Sequence, residues 1–318
     1  STVNPKLGLS YHASDAVTFR ASYGTGFKAP DLLSVFQGQS SGISSFRDPL
    51  ICAIDATDPN CTNTRANVTT YGNRNLEPEK AVHYNVGTVI TPQKNLSFVV
   101  DYWSVDGTDA LSGVSTASIL RAEALGVDLS NLGIVIDRDP SQGNVVTNIS
   151  YPVRVNAGIF KIRGIDFTIR QVSPINIFGL GPVNMRFTME HSHVLSSGGT
   201  SFSFDPFTKQ NNINWKNFMS VGFQRNKDFA RVTARSFAGG DKNTTIGTGV
   251  GLGSTPIYTE YDLHYEHFFG ESSVSVGVKN IFDRTPLNDT ANPGIVLPAS
   301  TQGNFFGRTF YVGYSQDF

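Results

Sequence analysis

The sequence predicts an all-β fold: an antiparallel, up-and-down transmembrane β-barrel wall of about eleven strands, with long loops at one end and short turns at the other. Three observations carry this reading. Segments of roughly ten residues alternate between apolar and polar side chains, the period of a strand with unlike surroundings on its two faces. The connections between those segments are alternately short and long. The chain also closes on a strand whose apolar face, Phe310, Val312, Tyr314 and Phe318, ends on a bare aromatic residue. A soluble protein seldom leaves such a residue in water.

The elements follow in chain order. Leu7, Leu9 and Tyr11 begin an alternation that stops at the polar turn Ala13-Ser14-Asp15. Val17, Phe19, Ala21 and Tyr23 then oppose Thr18, Arg20, Ser22 and Gly24. From Lys28 to about Ala81 the period dissolves into a Gly/Ser/Asn/Asp-rich loop. Its length is uncommon inside a compact domain and marks it as functional. Val82, Tyr84, Val86, Thr88 and Ile90 form the next strand, and the turn Pro92-Gln93-Lys94-Asn95 leads to Leu96, Phe98, Val100 and Tyr102. A second excursion, from about Asp106 to Phe160, holds one helix-like piece, Thr116 to Gly126. Val145 to Val155 reads as a strand that either lies within this loop or extends the wall. Ile165, Phe167 and Ile169 resume the alternation. Val183 to Met189, Trp215 to Phe223, Ala230 to Ala234, Ile257 to Tyr265 and Val274 to Val278 continue it up to the terminal strand.

Strands of this length cross a bilayer when tilted. Short turns near residues 14, 93, 177, 226 and 270 alternate with loops near 28–81, 106–160, 195–213, 239–255 and 282–305. This is the sidedness of an outer-membrane wall, and by parity the last strand ends on the short-turn, periplasmic side. Charged residues make up only 16% of the chain, against roughly 25% in soluble proteins, so charge has not been used for solubility. A net charge of -1 without a Lys/Arg run argues against a nucleic-acid surface. No stretch approaches the roughly 20 consecutive apolar residues of a spanning helix, a test that alternating strands escape. The competing reading is a soluble β-sandwich, in which Arg20, Asp101, Glu190, Arg235, Glu260 and Asp262 would line a solvated face. A sandwich does not call for loop lengths that differ by side.

Five stretches, in order, carry a family resemblance: Arg20-Ala-Ser-Tyr-Gly-Thr-Gly-Phe-Lys-Ala-Pro30 with Leu32-Leu33; Asn73-Arg-Asn-Leu-Glu-Pro-Glu-Lys80; Gly164-Ile-Asp-Phe167; Val278-Lys-Asn-Ile-Phe-Asp283; and Gly307-Arg-Thr-Phe-Tyr311 with Phe318. Together they resemble the C-terminal half of a TonB-dependent outer-membrane receptor. The resemblance implies a barrel of about 22 strands around an N-terminal plug. Residues 1–318 would supply roughly the last eleven, with the plug and TonB box outside the chain. It implies a receptor in the bacterial outer membrane, not an enzyme, with no resident cofactor. Extracellular loops would bind a scarce nutrient, foremost a ferric siderophore, and the TonB complex would drive its uptake through the plug. Carbohydrate, cobalamin or peptide cargo, or a passive porin-like barrel, are the alternatives. Outer-membrane lipid and the barrel-assembly machinery are the other expected partners, the latter reading Phe318 as an assembly signal. Gln316 departs from the aromatic or aliphatic residue usual at its position.

The candidate chemistry lies in the loops and on the polar face. Cys52 and Cys61 are the only cysteines and, in an oxidising surface loop, favour a disulfide. A metal site there would need further ligands, and no His lies between Lys28 and Tyr71. Phe36, Arg47, Tyr71 and Arg74 are candidate contacts for an anionic iron chelate, and Arg235 for a ligand within the lumen. Phe27-Lys-Ala-Pro30 and Asn73-Arg-Asn-Leu76 look like the paired boxes of haem transporters. The iron-ligating His between them is missing, which points instead to strand-to-loop corners. His191 and His193 share one face of a strand end, as rim residues or as ligand contacts. No nucleophile–base set or phosphate-binding loop is present in the sequence.

Overall fold

The computed structural model describes residues 3–177, 179, 181–200, 214–238, 257–285 and 306–316. The wall opens with β1 (Lys6–Ser14) and β2 (Val17–Lys28). The first long loop then folds as α1 (Leu32–Phe36), β3 (Ser40–Phe46), α2 (Pro49–Ile54), α3 (Pro59–Asn63) and β4 (Thr64–Tyr71). The wall resumes with β5 (Glu79–Gln93) and β6 (Leu96–Gly113). The second long loop supplies α4 (Thr116–Ala124), β7 (Val135–Asp139) and β8 (Val145–Pro152). The remaining wall strands are β9 (Arg154–Ile177), β10 (Gly181–Thr200), β11 (Trp215–Arg225) and β12 (Asp228–Phe237). They are followed by β13 (Tyr258–Phe269), β14 (Ser272–Lys279) and β15 (Thr309–Gln316).

Eleven strands form one open antiparallel sheet in the order β1-β2-β5-β6-β9-β10-β11-β12-β13-β14-β15. The expected eleven alternating segments are present, as are the short turns near residues 14, 93, 226 and 270, while the turn expected near 177 lies partly outside the described residues. At the β11–β12 corner Asn226 takes φ +52, and at the β13–β14 corner Gly270 takes φ +68, the left-handed conformation that tight hairpins require. The terminal strand pairs with β14 from Ser272↔Gln316 to Lys279↔Thr309. Phe318 lies outside the described residues.

Two expectations are revised. The long loops are not patternless: β3, β4, β8 and β7 make a second sheet in that order, and β4 pairs with β8 in parallel. The helix expected at Thr116 to Gly126 is α4, and the strand expected at Val145 to Val155 is β8, inside the loop, before the wall restarts at Arg154. The wall strands flanking these loops are also longer than ten residues. β6, β9 and β10 hold 18, 24 and 20, and β9 extends roughly 80 Å at the usual rise of a strand. Their distal ends carry polar residues on both faces, Asp106, Thr108, Asn156 and Lys161 among them, so they show no alternation to read.

Register keeps one parity across the wall. Phe19, Thr88, Val100 and Phe167 form one cross-strand row, and Met185, Phe223, Ala230, Tyr265, Val276 and Val312 form another. Phe19, Val86, Val232, Leu263, Val276 and Val312 are all exposed. A whole sheet face of bare apolar side chains is a surface that water does not favour.

The opposite face is polar and carries several internal ion pairs. Arg20 stands opposite Gly87, and Gly87 opposite Asp101. Because Gly87 has no side chain, the Arg20 guanidinium crosses it and grips Asp101 with two hydrogen bonds, Nε to Oδ1 at 3.0 Å. A Cβ at Gly87 would sit 1.9 Å from Asp101 Oδ1. We therefore predict that Gly87→Ala destabilises the complete barrel by about 1–3 kcal/mol through overpacking. Gly26→Ala, where nothing lies within 4 Å of the new methyl group, serves as the control. Denaturant unfolding in detergent checks this, and equal midpoints for the two variants would contradict it.

Candidate functional site

The two long loops fold into one module at the long-loop end of the wall. Ile119 and Leu120 of α4 pack with Val146, Ile149 and Val155 in a core from which water is almost wholly excluded. The helices are short, and each is started by its N-cap. Asp31, Asp48 and Asp58 accept the N–H of Ser34, Leu50 and Asn60, and Pro49 and Pro59 occupy the first turn. Ser115 and Ser118 form a capping box on α4. The hydrogen bonds from Ser34 hold the Asp31 carboxyl below its ordinary pKa.

Charge fastens the module at one buried point. Arg138 of β7 donates to both oxygens of Asp48, at 2.8 and 3.2 Å, and to both of Glu123, at 2.9 and 2.7 Å. Asp48 is wholly buried. Burial of Arg138 works against its charge, but the hydrogen bonds to Glu123 and Asp48 outweigh it and raise its pKa. Cys52 and Cys61 are joined as a disulfide that closes α2 onto α3. Among the described residues, no group of three or more His, Cys, Asp or Glu is placed to hold a metal ion.

A polar joint connects module and wall. Asn73 donates to the Arg154 carbonyl at 3.1 Å, Glu79 accepts the Leu111 N–H at 2.7 Å, and Lys80 pairs with Asp109 at 2.9 Å. The Asn73 to Lys80 stretch is thus a strand-to-loop corner. A cavity of about 460 Å³ lies beside it, lined by Tyr71, Asn73, Glu77, Asp109, Asn131 and Asn156. On the polar face of the wall a second cavity, about 370 Å³, is lined by Asp166, Thr168, Glu190, Lys216, Phe218 and Arg235. Among the described residues, Asp166 Oδ1 is buried there without a hydrogen-bond partner.

The five candidate contacts are distributed over four places. Arg74 lies over the exposed Phe36 ring, 5.9 Å from its centre. Tyr71 donates to the Gly133 carbonyl across the two loops and faces the joint cavity. Arg47 donates to Cys52 Sγ at 3.3 Å. Arg235 is apart from these, on the wall, held by Glu260 at 2.8 Å and Asp262 at 2.6 Å. His191 and His193 continue the apolar-face parity of Met189 in register with Asn217 and Trp215. The His191 ring lies 6.1 Å from His193 and 6.0 Å from Trp215, an aromatic cluster at the strand end. Sequence reasoning missed the Asp48–Arg138–Glu123 cluster. The Asp-Pro pairs at 48–49, 58–59 and 139–140 were its available signal, since Asp before Pro starts helical turns.

The family model described as TonB dependent receptor-like, beta-barrel matches residues 1–281. No curated protein sequence matches the chain. Among solved structures, the siderophore receptor PirA from Acinetobacter baumannii is similar with a TM-score of 0.63 and 15% identity, over 99% of this chain and 41% of that one. A mutant of the ferric enterobactin receptor PfeA from Pseudomonas aeruginosa, in complex with enterobactin, matches at 0.63 and 16%, over 99% and 40%. The copper transporter OprC matches at 0.53 and 12%, over 98% and 39%. At these identities the likeness is one of fold, and the chain spans about two fifths of the length of those structures.

Removing Asp48 takes away the N-cap of α2 and two hydrogen bonds of Arg138, whose remaining acid partner is Glu123. Asp48→Ala is expected to lower the stability of the module by about 2–4 kcal/mol, the loss of a cap together with a charged hydrogen-bond pair. Hydrogen–deuterium exchange should then rise in α2, α3 and α4 and stay unchanged in β11 to β14. Unaltered protection in the three helices would sink the assignment.

Proposed function

We propose that this chain, which belongs to the TonB-dependent receptor-like β-barrel family, is part of an outer-membrane receptor for energised uptake of a scarce nutrient, with a ferric siderophore as its cargo. The family is one of receptors and transporters, not enzymes. The observation that carries the reading is the asymmetry of the wall: short turns at one end, and at the other a module with its own core, held above the wall by extended strands. Loops folded this firmly suit selective binding better than passive passage. The siderophore receptors among the fold relatives support the choice of cargo. A free metal ion is the second reading, favoured by the copper transporter; carbohydrate, cobalamin and peptide follow.

In this account the apolar face lies against outer-membrane lipid. The free edges of β1 and β15 pair with the rest of the barrel, because an open edge is not tolerated in hydrocarbon. A plug from the remainder of a longer protein fills the lumen and is moved by the TonB complex, and the barrel-assembly machinery inserts the wall by reading Phe318. Phe36, Arg74, Arg47 and Tyr71 face the arriving chelate, and Arg235 faces it on the way through. The test is uptake of radiolabelled iron, as a siderophore complex, by iron-starved cells with and without the complete receptor. Loss of uptake in the deletion strain, restored by the gene only when TonB is present, is expected. Equal uptake in both strains would overturn the reading.

A further inference from the structure

Register places Arg231, His264, Gly277 and Tyr311 in one row across β12 to β15 on the polar face. Gly277 leaves room for the Tyr311 ring to lean across its strand, and a Cβ there would lie 2.4 Å from that ring. The Tyr311 hydroxyl meets His264 Nδ1 at 2.8 Å. A hollow of about 190 Å³ opens beside this row, lined by Arg231, Lys279, His264, Thr233 and Phe218 among others.

The charges around it do not balance locally. Lys279 Nζ rests 5.8 Å from the centre of the Tyr311 ring, and the Arg231 guanidinium 6.0 Å from that of Phe229. Both side chains are exposed, and neither forms an ion pair among the described residues. The one acid in the lining, Asp262, is already engaged by Arg235 at 2.6 Å and by the Asn280 N–H at 2.8 Å. Glu266, nearby, accepts from Ser273 at 2.6 Å. Two cations held on aromatic faces rather than on carboxylates are free to turn to an incoming anion, at the strength of a charge-assisted hydrogen bond. The volume suits one such group, a carboxylate, phosphate, sulfate or catecholate oxygen pair, and not a whole chelate.

We infer that the hollow between Arg231 and Lys279 is an anion-binding site on the lumenal wall, where an anionic group of the cargo is held in transit. This rests on the uptake reading above. The test uses the complete receptor with and without the paired substitutions Arg231→Gln and Lys279→Gln. Selenate diffused into crystals should give an anomalous peak in the hollow of the wild type and none in the variant. In cells, uptake of a trianionic ferric triscatecholate should slow about tenfold in the variant, the worth of one charge-assisted hydrogen bond. Surface affinity for the chelate, and uptake of an uncharged ferric trihydroxamate, should hold. An empty hollow in the wild type, a carboxylate from the rest of the receptor seated in it, or equal triscatecholate uptake would each overturn the site. If the wild type takes up neither chelate, the cargo assignment fails instead, and the selenate peak alone decides whether the anion site exists.

Discussion

Everything in this molecule depends on one side-chain parity being kept through the pairings of an eleven-stranded sheet. Successive residues of a strand point to opposite faces, so a slip of one residue in any pairing would carry every later apolar row to the polar side. The row running from Met185 through Phe223, Ala230 and Tyr265 to Val312 shows that no such slip occurs between β10 and β15. Backbone hydrogen bonding supplies the continuity, and the two-residue turns at Asn226 and Gly270 set the phase. In a membrane the alternative is severe, because an unpaired N–H or C=O in hydrocarbon costs several kcal/mol.

The polar face solves a different problem. Its charges must be satisfied without a packed second layer, and glycines make this possible. Gly87 lets Arg20 reach a carboxylate two strands away, and Gly277 lets Tyr311 reach His264. Side chains crossing a neighbouring strand in this way tie three strands where an ordinary cross-strand pair ties two. The same face carries Arg235 between Glu260 and Asp262. Arg231 and Lys279, by contrast, have no acid partner among the described residues, and Arg186 on the same face donates to Gln224 instead of an acid.

The wall was legible in the sequence because its apolar and polar faces impose a period of two. Turn positions followed from where that period broke. The module was not legible, and the reason is physical. Its core joins Ile119 and Leu120 of one helix to Val146 and Ile149 of a later strand, with no repeat linking them. The contacts that hold it join residues far apart in sequence, Tyr71 to Gly133 and Asp48 to Arg138. The disulfide could be read from two cysteines in one loop, whereas the stacking of Arg74 on Phe36 appears only in the fold. The grouping of the remaining candidate contacts needed the fold.

Function enters through the difference between the two ends of the wall. A passive barrel needs only the parity described above. A structured module with a buried ion cluster on top of it, in a chain of the TonB-dependent receptor-like β-barrel family, supports the proposal of a receptor that selects before it transports. Spin labels placed singly along β13 of the complete receptor in bilayers test the underlying claim most directly. Accessibility to oxygen should peak at Tyr261, Leu263 and Tyr265, and that to an aqueous relaxant at Glu260, Asp262 and His264, in strict alternation. Uniform accessibility along the strand would contradict a lipid-facing wall and the account built on it.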